Sequence, residues 1–339
     1  MKLTSSIVLL FATLIMVHSA LPANAWDNPA HMAIAGIAFD ELNHTEQLRL
    51  AAMLREHPDV NRLYSGLGTD HPSGKSLVMA ASVWPDLIKS DSSYRNNGYR
   101  ERGPITSVSF DHIKHKGWHF IDTPVSLDGT PVGPAPDGDT VDAVTVINVL
   151  VRQLNSNESG PQKAYDLGWL LHLEGDLHQP LHCVTGITAA MPKGDVGGNA
   201  VKIAGDTEGA RELHAFWDDV LGKTARRDRT THKPRLDKDV TTALGIMASV
   251  RAVKMPPDQN STNPSIWVRD GVALAKRDVY HLQYFQAITA TRRGRDVPEE
   301  SATLTASYDQ IATIDARRQV RVAGHRLALM LKRILDRKR

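Results

Sequence analysis

The stretch HLEGDLHQPLH, residues 172–182, limits what this chain can fold into more than any other feature. It ends the run QKAYDLGWLLHLEGDLHQPLH, whose apolar residues recur at three- and four-residue spacing, as on a buried helix. His172 and Asp176 are four apart, so on such a helix they project from one face. Pro180 kinks or stops the helix and swings His182 away from that pair. A second pair, His214 and Asp218 in LHAFWD, repeats the spacing on another segment. WPD sets Asp86 behind a tryptophan and a proline, WHFID sets His119 between two aromatics, and His31 lies near the other end of the chain. One such pair is ordinarily a salt bridge, and most of the 15 histidines are surface or filler residues. Together, so many nitrogen and oxygen donors among apolar neighbours point to several adjacent metal ions, with zinc suited to imidazole and carboxylate ligands.

The beginning of the chain reads as a targeting segment. Lys2 precedes an apolar run from about Ile7 to Val17, and Ala23-Asn24-Ala25 stands before Trp26. The run is short for a membrane span. Residues 1–25 are therefore expected to be a cleaved signal peptide and Trp26 the first residue of a secreted or periplasmic protein, carrying a free α-amine. The single cysteine, Cys183, excludes an intramolecular disulfide, so an exported chain like this is held by its core or by metals. Cys183 itself is expected as a small buried hydrophobe. Hydrophobic residues make up 41% of the 339, enough for a large core, and the net charge of +2 excludes a strong global field toward a polyanion.

Helical patterns dominate the rest. They run through AHMAIAGIAFDELN, EQLRLAAMLRE (ended by Pro58), TVDAVTVINVLVRQLN, RELHAFWDDVLG (with Gly222 at its end) and DARRQVRVAGHRLALMLKRILDRKR. The basic end of the last is read as a solvated face rather than a nucleic-acid patch. DGTPVGPAPDGDT and MPKGDVGGNAVKIAGDTEG read as loops, the second with a short hairpin. The expected fold is all-α, one mostly helical domain over 26–339 with long functional loops.

Taken together and in order, Trp26 with His31, WPD, WHFID, HLEGDLHQPLH, GGN and LHAFWD resemble the zinc-dependent single-strand nucleases that also act as 3′-nucleotidases, within the nuclease and phospholipase C superfamily. The resemblance covers essentially the whole chain from Trp26 onward. It implies a phospholipase C/nuclease-like helical fold and a trinuclear zinc cleft. One zinc would be held by Asp86, His119, His172 and Asp176. A second, sharing Asp176, would take His31 with the amine and carbonyl oxygen of Trp26. The third would take His182, His214 and Asp218. Cleavage directly before Trp26 then has a chemical purpose, because an α-amine with a pKa near ~8 gives up its proton to a metal while a peptide nitrogen does not. Asp27 and Ala30 stand where the family commonly has glycine, and the disulfides of fungal and plant members are absent, as expected of a bacterial branch.

The resemblance also implies the reaction: metal-activated hydroxide attacks phosphorus, releasing 5′-nucleotides from single-stranded RNA or DNA and nucleosides from 3′-nucleotides. Lys89 would meet the phosphate alongside Asp86. Phe120 would stack on a base that Asp122 holds by hydrogen bonds, and Asn199 of GGN would line the substrate pocket. A monomer is expected, with no protein partner and no stable membrane association. The alternative enzyme is a zinc phospholipase C, whose members tend to carry Glu where this chain has Asp218 and lack the WHFID base clamp. A non-catalytic zinc-binding protein would instead saturate every ligand shell.

Overall fold

A helix apolar on every side has to be surrounded, and the first helix of the chain is of that kind. In the structure, a computed structural model, α1 (Asn28–Asp40) is buried from Asn28 to Phe39. The structure describes residues 26–133, 140–156, 160–204, 212–282, 286–292 and 295–336. The leader expected at 1–25 and parts of both long loops lie outside the described residues.

Ten further helices follow among the described residues: α2 (His44–Leu54), α3 (Val60–Leu67), α4 (Gly74–Ala81), α5 (Trp84–Lys89), α6 (Ala143–Leu154), α7 (Pro161–Asp176), α8 (Leu213–Asp219), α9 (Leu236–Val250), α10 (Pro264–Leu274) and α11 (Ala306–Leu335). Helix α1 packs against α4, α7, α9 and α11, and α7 is flanked in turn by α2, α5 and α6. Local chemistry sets several boundaries. Asn43 and Glu46 form a reciprocal capping box at the start of α2, and Asp142 accepts the Thr145 N–H at the start of α6. No described helix is long and apolar enough to cross a membrane.

Strands are few. β1 (Thr123–Ser126) pairs in parallel with β2 (Val184–Ile187), with Thr123 opposite Val184. β3 (Val201–Ala204), β4 (Gln286–Arg292) and β5 (Arg295–Thr303) form a small sheet in the order β3-β5-β4. The short hairpin expected within residues 191–209 lies partly outside the described residues. Among those described, β3 pairs in parallel with the distant β5, and an antiparallel bridge, Lys202 to Glu212, closes back on its own loop.

All six tryptophans are buried. Each removes about 150–250 Å² from water, or about 4–6 kcal/mol at 25 cal/mol per Å². This is how a large chain with one cysteine makes up for missing disulfides. Cys183 is fully buried, its S–H donates to the Leu177 carbonyl, and burial pushes the thiol far up.

Candidate metal centre

Helix α7 supplies the centre of the site, and its end differs from expectation. It stops at Asp176, four residues before Pro180, instead of running up to the proline. The cause lies in the backbone that a proline requires ahead of it: Gln179 is extended, with φ −86° and ψ 116°, so the helix must unwind earlier. The chain then re-forms as a short 3₁₀ turn, Pro180–His182, which turns His182 toward a separate group of donors.

Three groups of nitrogen and oxygen atoms converge, each within 4.8 Å: His31, His172 and Asp176; Asp86, His119 and His172; and His182, His214 and Asp218. The first two share His172. His172 Nε2 lies 3.3 Å from Asp176 Oδ2 and 3.6 Å from Asp86 Oδ1, His119 Nδ1 lies 2.9 Å from Asp176 Oδ2, and His31 Nε2 lies 3.2 Å from Asp176 Oδ1. In the last group His182 Nε2 and His214 Nε2 are 3.2 Å apart, and Asp218 Oδ2 is 3.5 Å from His214 Nε2. These residues come from α1, α5, α7, α8, the 3₁₀ turn Lys116–His119 and the turn at Pro180, which no single stretch of sequence could assemble.

Three of the five donor histidines have their outward ring nitrogen held by the backbone. His172 Nδ1 donates to the Ser82 carbonyl at 2.8 Å, His182 Nδ1 to that of His119 at 2.7 Å, and His214 Nδ1 to that of Gly197 at 2.6 Å. A carbonyl only accepts, so each Nε2 keeps its lone pair directed at the donor group, the arrangement that orients metal-binding imidazoles. The fork of β1 and β2 secures the same region: Ile121 N–H donates to the His182 carbonyl and Thr123 N–H to that of Cys183.

Charge and burial fit a cation. Burial, reinforced by neighbouring cationic groups, drives His119 and His172 far below the usual imidazole range, so both are neutral at pH 7 and able to act as donors. Burial pushes Asp176 up to about 6 against the opposing pull of the adjacent His31, and lifts Asp218 well above the carboxylate range despite Gln179. For Asp86, burial is outweighed by Lys89, then His172 and His31, and the carboxyl falls to about 2. His31 Nε2 and Asp176 Oδ1 face each other in full burial without a well-directed hydrogen bond. Buried carboxylates short of partners beside neutral imidazoles are the donor set that a divalent cation satisfies.

The remaining expected residues have definite places. Trp26 is fully buried, and the next residue's N–H donates to the Asp218 carbonyl at 3.0 Å, so the start of the described chain is fixed against α8. Lys89, 8% exposed, sets Nζ 2.6 Å from Asp86 Oδ1. Phe120 and Asp122 are half-buried directly after His119, and burial, partly offset by Arg100, pushes Asp122 up to about 6. Asn199 is half-buried and its amide donates to the Val196 carbonyl of its own loop at 2.8 Å. That loop reaches the last donor group through the Gly197 carbonyl.

Gln179 is the residue that sequence reasoning passed over. Its amide N–H donates to Asp218 Oδ1 at 2.7 Å and its carbonyl caps Leu181, so one side chain joins α7's exit to α8. A polar residue wedged between His178 and Pro180 was the available signal. The Ser82 and Gly197 carbonyls left none, because backbone acceptors have no sequence identity.

No curated protein matched the sequence. A family model did, over residues 26–336, and its description is S1/P1 nuclease. A match across nearly all of the chain, over a mostly helical fold that converges its His and Asp donors, makes this protein a member of the S1/P1 nuclease family, hydrolases that act on nucleic acid.

Proposed function

We propose that the chain is an exported zinc nuclease that cuts single-stranded RNA and DNA to 5′-nucleotides and removes phosphate from 3′-nucleotides. The observation that carries this reading is the contiguity of the donor groups, two of them joined through His172 and the third tied to them by the His182 hydrogen bond to the His119 carbonyl. Asp86, His119, His172 and Asp176 would hold one zinc. His31 and Asp176 would hold a second with the Trp26 amine and carbonyl. His182, His214 and Asp218 would hold a third. When bound, these ions supply Lewis acidity to phosphoryl oxygens and to a water molecule.

The protein's own groups do the rest. Lys89, kept beside the donors by its ion pair with Asp86, offers its ammonium to charge that builds on the phosphoryl group. Phe120 stacks on an unpaired base, and Asp122 accepts hydrogen bonds from that base once ionised. Stacking needs a base free of its neighbours, which favours single strands. The leader at 1–25 fits this chemistry, since its removal before Trp26 frees the amine that would bind metal.

The test is product identity. Protein beginning at Trp26 is incubated with single-stranded RNA, single-stranded DNA, a 3′-nucleotide and phosphatidylcholine, before and after chelation. Chelator-sensitive release of 5′-mononucleotides and nucleosides supports the reading. Head-group release from the lipid, with nucleic acid untouched, replaces it with the phospholipase reading.

A further inference from the structure

The segment between Lys89 and His119 carries cations that the donor groups do not use. Arg95 and Arg100 are exposed, and Lys114 and Lys116 are half-buried. The acids in the same segment are committed elsewhere, Asp91 to Arg62 outside it. Glu101 accepts from Trp118 Nε1 and pairs with His115 Nδ1 at 2.7 Å, and Asp111 pairs with His115 Nε2 at 3.1 Å and takes the Ile113 N–H. The local positive charge is therefore not cancelled by its own carboxylates.

The segment is also built against the site. Arg95 N–H donates to the His112 carbonyl and Lys114 N–H to that of Arg95, so the two runs lie side by side. Val141 N–H donates to the Glu101 carbonyl, tying the arm to the approach of α6. At Gly117, two residues before His119, a Cβ would come within 2.5 Å of the Tyr99 carbonyl, so only glycine lets the Tyr99–Arg100 backbone cross the turn this closely. Lys116 lies over the Tyr99 ring at 5.3 Å, which fixes its direction. Burial, Lys114 and Lys89 all depress the Lys116 ammonium, and Arg100 acts on the Asp122 carboxyl. Lys116 thus lies in the field of Lys89 and Lys114, Arg100 in that of Asp122, and backbone pairing sets Arg95 beside Lys114.

We propose that Arg95, Arg100, Lys114 and Lys116 form a phosphate-binding track for the part of a nucleic-acid strand beyond the nucleotide at the donor groups. This rests on the nuclease reading above and deepens it: the preferred substrate is a polynucleotide rather than a mononucleotide. A string of cations on a braced arm matches the repeating charge of a single strand, and each neutralised phosphate steepens the salt dependence by about 0.7 in log–log slope.

The test is anisotropy of a labelled, cleavage-resistant phosphorothioate strand of about twelve nucleotides, bound to the intact metalloprotein across a range of salt. The variant is Arg95→Ala/Lys114→Ala, the two positions in the paired runs farther along the arm, and its melting curve controls for folding. Affinity at low salt is expected to fall about tenfold and the slope to flatten by about 1.4 for two lost contacts. Arg95→Lys/Lys114→Arg restores both. A phosphorothioate dinucleotide, too short to reach the arm, changes by less than about twofold. Unchanged strand affinity and slope in the alanine variant overturn the track, as does an equal loss on strand and dinucleotide. Hydrolysis of unmodified strand by the wild type is measured separately, so a protein that binds along the arm yet cuts nothing contradicts the nuclease reading and not the track.

Discussion

Gly175, between Glu174 and Asp176 on α7, offers a sharp test of how the donors are assembled. A Cβ at this position would lie 2.6 Å from His31 Nδ1, 3.0 Å from its Cε1 and 3.4 Å from Ile34 Cδ1. Restoring an ordinary 3.4 Å contact needs a shift of about 0.8 Å by the His31 ring, which is also stacked on His172 at 4.2 Å. Metal–ligand distances tolerate about ±0.2 Å, so Gly175→Ala is expected to pull His31 out of reach of any ion held with Asp176. Stability should respond far less. Alanine gains up to about 1 kcal/mol of helix propensity, and the overpacking costs about 1–3 kcal/mol. The net is a destabilisation of at most about 2 kcal/mol. The assay is metal content by mass spectrometry, with phosphodiesterase activity and melting temperature measured on the same preparation. About one metal equivalent should be lost, activity should drop about 10–100-fold, and melting of the metal-free protein should fall by no more than about 4–8 °C. Gly245→Ala on α9, where a Cβ meets nothing within 4 Å, is the control and should be neutral or slightly stabilising. Full metal content and full activity in Gly175→Ala would refute the argument that α7 uses glycine to admit His31.

Other perturbations give equally definite outcomes. Gln179→Leu removes the hydrogen bond to Asp218, and a chelator competition should show the weakest-held ion released about 10–100-fold more readily. Lys89→Met should lower kcat by about 10²–10³ with metal content retained, because the ammonium beside Asp86 is lost while the donors stay. Asp122 should titrate near pH 6: its folded value is above the ordinary 3.8, so its contribution to stability is present at low pH and lost between about pH 4 and 6. The ionised form is the base acceptor, so KM for a 3′-nucleotide should fall as pH rises through about 6, and Asp122→Asn should flatten that dependence. A single residue added before Trp26 turns its amine into a peptide nitrogen, and zinc titration should then show a lower stoichiometry than for protein starting at Trp26.

Much of the site could be read from spacing alone. His172 and Asp176, like His214 and Asp218, are four apart and do share helix faces, because α7 and α8 follow the apolar period of their sequences. Boundaries were harder. α11 begins at Ala306, nine residues before the apolar pattern at Asp315 announces it, because Thr305 caps the Tyr308 N–H and starts the helix on a polar stretch. β4 and β5 went unread because Gln286–Arg292 offers only Ile288 as a large apolar residue beside its threonines, and Arg295–Thr303 is mostly charged or polar and interrupted by Pro298. What holds the imidazoles was hidden for another reason. The carbonyls of Ser82, His119 and Gly197 orient three rings, and any residue type could have supplied them. The arm of Arg95, Arg100, Lys114 and Lys116 was invisible for a related one, since only the backbone pairing of its two runs brings Arg95 beside Lys114.

The central claim is that the converging donors are a working zinc centre. The most direct measurement titrates zinc into chelated protein beginning at Trp26 while following the release of 5′-mononucleotides from single-stranded RNA. Activity is expected to return as loading approaches about three zincs per chain. Fewer than about two zincs bound, or full loading with no nucleolysis, would contradict it.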